Sequence, residues 1–325
     1  MARQPLRLCI VGLGHIGRVH VSSLQQIEAL QLLAGCDSNP ALAEVLPQGV
    51  RFHGSLDAAL AATDVDVVVV ATPNQTHNRI AIQALEAGLH VMVEKPAASD
   101  PVELEALRAR AQHSGRLLWF ALHAATGSEV IWAERHLREE GERYGALTGF
   151  HSRFMDPYID PVNRQLSHAD SLQTPWRDSG INALSVLLRL QPSLQLEPTG
   201  LRCSRHLGEQ PCILSETAHF RFGNAGYGCM ETAWDQQRNH KSTELFFASS
   251  GMRLLIDHTQ QTVERWRSGG ERETLAAFDG DRLMNHYLNL FSEAAAALGR
   301  GEDNAPEGIR AHAPYFAAIE LSETS

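Results

Sequence analysis

Leu8-Cys9-Ile10-Val11-Gly12-Leu13-Gly14-His15-Ile16-Gly17 is the stretch whose reading decides the fold of this chain. A short apolar run meets glycines in the spacing G-x-G-x-x-G. Such a run reads as a strand of a parallel sheet, buried on both faces. Gly12 permits the tight turn after it, Gly14 leaves room for a pyrophosphate to approach the backbone, and Gly17 lets the next helix pack close to the strand. The phosphates would sit on that helix's N-terminus, where unpaired N–H groups and the dipole favour an anion. Gly12, Gly14, His15, Ile16 and Gly17 are therefore the expected phosphate-binding residues. Three glycines alone could equally form a plain tight turn, so the flanking chain has to decide.

It does so in favour of a dinucleotide. A helix-like segment, Arg18 to Ile27, leads to a second apolar run, Leu30 to Cys36, that ends in Asp37. An acid belongs there to grip the adenine ribose. Ser38 and Asn39 follow, with no Arg or Lys beside Asp37, so Asp37 predicts NAD over NADP, with Ser38 beside it as a further cofactor-binding candidate that could take a phosphate if Asp37 turned away. Further apolar runs at Arg51 to His53, Asp66 to Ala71, His90 to Val93 and Leu117 to Leu122 alternate with helix candidates at Pro40 to Leu46, Leu56 to Ala62, Thr76 to Ala87 and Asp100 to Ser114. Thr76 and Asp100 are placed to cap their helices. Strands alternating with helices through short connections specify a doubly wound parallel sheet, an α/β fold of Rossmann type. Ligands of such sheets bind beyond the carboxyl ends of the strands. Thr72, Pro73, Asn74, His77, Glu94, Lys95 and His123 all follow strands, and so all face that crevice.

Beyond about residue 122 the grammar changes. Ser128 to Glu140 reads as an amphipathic helix and Leu147 to Phe154 alternates like a strand. Residues 155 to 177 form a long polar loop with Pro157, Pro161 and Pro175, and loops of that length are commonly functional. A helix over Asp178 to Leu190, short strand-like runs between residues 197 and 276, and two closing helices, Arg282 to Leu298 and Pro306 to Leu321, complete the chain. The expected organisation is a dinucleotide-binding domain over 1–122 and an α+β substrate-binding and oligomerisation domain over 123–325 with a largely antiparallel, open-faced sheet.

With 325 residues the chain is long enough for two domains, and its 43% hydrophobic and 20% charged residues are ordinary for a globular protein. A formal net charge of −10 argues against nucleic acid or an anionic membrane as partner. The N-terminus carries no apolar signal region and no stretch reaches the ~18 apolar residues of a membrane span. Cys9, Cys36, Cys203, Cys212 and Cys229 are scattered without C-x-x-C spacing. Cys9 and Cys36 read as small core residues, and the whole as a reduced, cytoplasmic protein. Sixteen histidines include no H-x-x-x-H pair with a supporting acid, so no metal site is expected.

The glycine-rich opening, Thr72-Pro73-Asn74…His77, Glu94-Lys95-Pro96, a helix bearing Asp178-x-Gly180-x-Asn182, and the closing Glu307-Gly308-Ile309-Arg310 occur in one order. In this the chain resembles the glucose–fructose oxidoreductase / inositol dehydrogenase family of NAD(P)-dependent oxidoreductases. The run Asp178 to Ser185 is similar to the aldose 1-dehydrogenase branch, which acts on L-arabinose and D-galactose. The family's usual histidine in the Asp-x-Gly-x-His pattern is Asn182 here. The resemblance also implies a Lys95–Pro96 peptide that is frequently cis, and a homodimer or homotetramer formed through the open face of the second sheet.

Lys95, Asp178 and Asn182 are the expected catalytic residues. Lys95 at a strand end can hold a substrate hydroxyl and stabilise charge developing on its oxygen; a surface lysine paired with Glu94 is the plain structural alternative. Asp178 and Asn182, four apart, share a helix face. Asp178 could take the hydroxyl proton, although an N-cap role competes. Asn182 cannot usefully accept a proton, so it can only position a hydroxyl. His77 is expected to order the loop near the nicotinamide, with a plain helix-surface histidine as the alternative. His123, His151, Arg153 and Trp176 are candidate substrate contacts, Trp176 by stacking on a sugar ring; solvated or packing roles compete for each. The implied activity is oxidation of a sugar or polyol hydroxyl, with an aldose oxidised at C1 to its lactone as the favoured case. A redox-neutral sugar-modifying enzyme with tightly held NAD, and a non-catalytic nucleotide-binding sensor, are the alternatives.

Overall fold

The computed structural model describes residues 4–158, 173–206, 212–234, 238–249 and 251–323. The described chain divides into two units: the stretch up to His123 with Leu283–Ile309, and Ala124–Arg282 with the residues from Arg310 on.

The first unit is built on strands β1 (Leu6–Val11), β2 (Leu30–Cys36), β3 (Arg51–His53), β4 (Val67–Val70), β5 (His90–Glu94) and β6 (Leu118–Ala121), with helices α1 (His15–Leu24), α2 (Leu56–Ala62), α3 (His77–Glu86) and α4 (Pro101–Ser114) between them. The sheet order β3-β2-β1-β4-β5-β6 is parallel throughout, the doubly wound arrangement expected from the alternation of strands and helices. All four valines of β4 are buried, as a strand covered on both faces requires. Asp100 caps α4 as expected, accepting from Glu103 N at 2.8 Å. Thr76 does not cap α3. Its hydroxyl lies 2.7 Å from the Pro73 carbonyl and 2.8 Å from the Thr72 hydroxyl, and a 3-10 turn, Asn74–Thr76, precedes the helix instead.

The expectation that everything beyond residue 122 belongs to one second domain is corrected by Leu283–Ile309. The helix starting at Arg282 inserts Tyr287, Leu290, Phe291 and Ala294 into a core shared with Leu8, Ile10, Val67, Met92 and Trp119. An amphipathic pattern predicts that a helix buries one face, but not which sheet covers it. The turn after this helix also closes the outer edge of β6. Asp303 Oδ2 accepts from Leu118 N at 2.9 Å, while Asn304 accepts from Phe120 N (2.7 Å) and donates to Phe120 O (2.9 Å). Two side chains thus satisfy edge groups that would otherwise be open to a further strand.

The second unit holds α5 (Ser128–Tyr144), β7 (Leu147–Met155), α6 (Pro175–Leu190), β8 (Glu197–His206), β9 (Cys212–Phe222), β10 (Gly226–Ala233), β11 (His240–Phe247), β12 (Arg253–Asp257), β13 (Thr262–Trp266) and β14 (Arg272–Ala277). The remaining helices, α7 (Arg282–Arg300) and α8 (Ala305–Glu323), close the chain. The eight-stranded sheet has the order β14-β13-β12-β11-β7-β10-β9-β8. It is antiparallel except at its centre, where β7 and β10 run parallel and join two meanders. Phe150, Phe154, Phe220 and Met230 bury one face of the sheet, the side on which Phe220 meets Trp176 of α6. His151, Arg153, Cys229 and Glu231 alternate onto the other face.

If α7 belongs to the core of the first unit, Phe291→Ala should destabilise it by about 3–5 kcal/mol, the usual cost of emptying a buried aromatic site. Urea unfolding of the cofactor-free protein should show a lower midpoint; an unchanged midpoint would contradict this packing.

Candidate active site

The glycine turn has the conformation its spacing called for. Gly12 sits at φ +98°, and a Cβ there would collide with the carbonyl of Ala71. A Cβ on Gly17 would strike the Gly12 carbonyl, whereas one on Gly14 would meet nothing within 4 Å. The last observation is the useful one, because it leaves open space where a pyrophosphate would approach the chain. Gly14 is the N-cap of α1 and no side chain caps it, so the first-turn N–H groups are left for a ligand. His15 is exposed and Ile16 half-buried in that turn.

Asp37 follows β2 and is tied to this turn. Its Oδ2 accepts from Leu13 N and its Oδ1 from Asn39 N, both at 2.9 Å. The carboxylate is thereby fixed beside the glycine turn and keeps lone pairs for a ribose hydroxyl. Ser38, next to it, is exposed. These residues fit NAD: a turn without Cβ atoms, an uncapped helix start and an anchored acid at the ribose position.

Thr72, Pro73 and Asn74 form the turn after β4, and His77 opens α3 behind it. The buried His77 ring bridges two loops, with Nδ1 2.9 Å from Pro96 O and Nε2 2.6 Å from Thr72 O. A neutral imidazole can donate to only one of these carbonyls. Burial pushes the His77 pKa down against the pull of the Pro96 carbonyl and the Glu94 charge. The expected loop-ordering role is thus accounted for by contacts within the protein. The Lys95–Pro96 peptide is cis, and Lys95 itself is half-buried.

Glu94 has contacts that the sequence did not foretell. Its carboxylate is 5% exposed, with Oε1 2.8 Å from His20 Nε2 of α1 and accepting from the Tyr287 hydroxyl of α7 at 2.7 Å. Oε2 accepts from Lys95 N at 3.1 Å. Burial pushes the Glu94 pKa up, but the His20 and Tyr287 bonds and the charge of Lys95 outweigh it and leave the group below the usual carboxylate range. Expected among the cofactor ligands, the Glu94 carboxylate instead serves as a buried anchor for the turn that carries Lys95. His123 adjoins the same cluster, its ring stacked on Tyr287 at 5.1 Å and its Nδ1 3.4 Å from His286 Nδ1. His20, Tyr287 and His286 were missed because their partners lie far away in sequence.

In the second unit α6 begins at Pro175, not Asp178, and Thr174 caps it by accepting from Arg177 N at 3.2 Å. The competing cap role for Asp178 therefore falls to Thr174. Trp176 is fully enclosed, its ring 6.1 Å from Tyr315 and its indole N–H donating to Tyr315 O at 3.2 Å. It packs the core and cannot stack on a sugar. Gly180 is explained by the same ring, since a Cβ there would stand 2.6 Å from it. Asp178 and Asn182 are 5% and 4% exposed on one face of α6.

Neighbours that no motif revealed complete this region. The Ser179 hydroxyl lies 3.3 Å from Asp178 Oδ2 and 3.4 Å from Asp156 Oδ2, and Asp156 pairs with Lys241 Nζ at 2.8 Å. Tyr158 stands near both acids; burial and then their charges raise its pKa. The expected functional loop, 155–177, falls mostly outside the described residues. Asn182 Oδ1 is buried and has no hydrogen-bond partner among the described groups. His151 and Arg153, expected to line the pocket, occupy the sheet face opposite α6. A period of two assigns both to one face without saying which face carries the helix.

Residues 6–122 match the model of the oxidoreductase family with an NAD-binding Rossmann fold, the Gfo/Idh/MocA family. Over that segment the chain is similar to this NAD-binding family, as the motifs implied. Among curated proteins it is 36% identical over 127 residues to D-glucoside 3-dehydrogenase of Escherichia coli (strain K12), covering 38% of this chain and 36% of the relative. It is 38% identical over 110 residues to UDP-N-acetylglucosamine 3-dehydrogenase of Acidithiobacillus ferrooxidans, covering 33% and 34%. The chain thus spans about a third of the length of these relatives. Among solved structures, a levoglucosan dehydrogenase in complex with NADH and levoglucosan matches with a TM-score of 0.85 at 17% identity, over 99% of this chain and 98% of that one; at this identity the likeness is one of fold.

The fixed Asp37 carboxylate should repel a 2′-phosphate. Calorimetric titration of the purified protein should give an affinity for NAD at least about tenfold above that for NADP, a difference of about 1.4 kcal/mol. Equal or tighter binding of NADP would contradict the assignment.

Proposed function

We propose that this protein is an NAD-dependent dehydrogenase that oxidises a hydroxyl group of a sugar or polyol. The observation that carries the reading is Asn182 Oδ1, a buried acceptor without a hydrogen-bond partner among the described residues, one helical turn from the buried carboxylate of Asp178. An unsatisfied buried acceptor costs about 1–3 kcal/mol, a cost that a ligand hydroxyl donating to it would remove. A buried carboxylate on the same helix face suits a substrate with several hydroxyls. The names of the curated relatives, both sugar dehydrogenases, support the same class.

In this reading NAD, when bound, supplies the acceptor for the hydride leaving the carbinol carbon. Asp178 takes the hydroxyl proton. In the first unit, the Lys95 ammonium can stabilise negative charge developing on an oxygen. Asn182 orients a neighbouring hydroxyl. Ser179 steadies the Asp178 carboxylate, and Lys241 balances the charge of Asp156 beside it. The likeness of Asp178 to Ser185 to the aldose 1-dehydrogenases favours an aldose oxidised at C1 to its lactone. The relatives' printed names favour a second reading, oxidation of a ring hydroxyl at position 3. Pairing of copies through the open face of the second sheet, as the family resemblance implies, belongs to the same proposal.

A screen of aldoses, glycosides and polyols for NADH formation identifies the substrate class; no NADH formation with any of them would defeat the dehydrogenase reading. With the best substrate at saturation, Asp178→Asn should lower kcat by about 10²-fold or more. The helix should be unaffected, because Thr174 provides its cap. Asn182→Ala should raise KM more than it lowers kcat. Near-normal turnover in Asp178→Asn would place the base elsewhere.

A further inference from the structure

The open face of the second sheet carries a mixed-donor cluster that the redox reading does not use. Cys229 of β10 stands directly opposite His151 of β7, and Glu231, two residues on, opposes Arg153. One donor atom each from His151, Cys229 and Glu231 can be chosen so that all lie within 4.8 Å of one another. His151 Nε2 is shut off from solvent and makes no hydrogen bond among the described residues, although Glu231 Oε1 lies only 3.1 Å away. A nitrogen and a carboxylate oxygen at that separation, out of line for a hydrogen bond, are close to the edge of a coordination shell. Zinc bonds of about 2.0–2.2 Å to nitrogen and oxygen put neighbouring ligand atoms of a tetrahedron about 3.3–3.6 Å apart.

We propose that His151, Cys229 and Glu231 bind a divalent transition-metal ion of the zinc class. Imidazole nitrogen, thiolate sulfur and carboxylate oxygen form the donor set that zinc and cobalt accept and that magnesium and calcium do not. Three protein ligands leave the fourth position to water. Binding displaces the thiol proton of Cys229 into solvent. The ion joins the two parallel strands at the centre of the sheet. Arg153 competes with it, because Nε lies 3.4 Å from Glu231 Oε2. His219 of β9 flanks Cys229 on its other side and is held by the Tyr227 hydroxyl. H-x-x-x-H spacing does not reveal the site, because its ligands come from two strands that meet only through the parallel pairing.

The test is a zinc titration of the untagged, chelator-stripped full chain by calorimetry, with cobalt as a spectroscopic probe. One zinc per chain is expected, and Co²⁺ should give a thiolate charge-transfer band. Changing second-shell groups alone typically costs ~10–100-fold in metal affinity, so Cys229→Ser and His151→Ala should each weaken zinc binding by at least about tenfold. Cys229→Ser should also abolish the charge-transfer band. Arg153→Ala, which removes the competing cation, should tighten binding; this variant keeps all three ligands and so guards against loss through misfolding. Absence of stoichiometric binding to the wild-type chain, or equal affinity in Cys229→Ser, His151→Ala and the wild type, would overturn the proposal. Neither outcome bears on NADH formation, which is measured separately.

Discussion

The buried carboxylate of Glu94 is the constraint on which the first unit depends. It ends β5, accepts hydrogen bonds from Tyr287 of α7 and Lys95 N, and stands in hydrogen-bond contact with His20 of α1. Burying a charge is costly unless it is paired and hydrogen-bonded, and three partners from three parts of the chain meet that condition here. Because one of them comes from residue 287, the dinucleotide-binding unit is complete only when the late segment Leu283–Ile309 is in place. The turn bearing Lys95 starts from this anchor, and His77 holds the following residue through the Pro96 carbonyl.

The two units solve different problems with the same rule. In the first, the polar groups required by a dinucleotide are backbone groups and one acid, and side chains must stay clear of them. That is why the turn is glycine and the helix start is uncapped. In the second, the polar groups are side chains on a buried helix face, held by Ser179, Asp156 and Lys241. Asn182 Oδ1, on the same face, has no partner among the described residues, and a buried acceptor of this kind calls for an explanation.

Most of the first unit was legible in the sequence. Continuous apolar runs, glycine spacing and helix signals are local, and a parallel sheet is assembled from local units. What escaped was non-local. Glu94 reads as a cofactor contact until His20 and Tyr287 are seen around it. Trp176 reads as a sugar-stacking residue until Phe220 and Tyr315 enclose it. Asp178 competes as a cap until Thr174 takes that place. The spacing of His151 and Arg153 puts both on one strand face, but the side occupied by α6 depends on the whole sheet. Asp156 and Lys241 carry no motif and are neighbours of Asp178 only in the folded unit.

The most direct measurement of the Glu94 anchor is the urea-unfolding stability of the cofactor-free protein with Glu94 replaced by Ala. As a buried anchor whose loss leaves His20, Tyr287 and Lys95 N without their acceptor, Glu94→Ala should lower stability by about 3–5 kcal/mol before any nucleotide is added. Unchanged stability in the cofactor-free protein, with only NAD affinity reduced, would contradict the anchor and return Glu94 to the cofactor ligands.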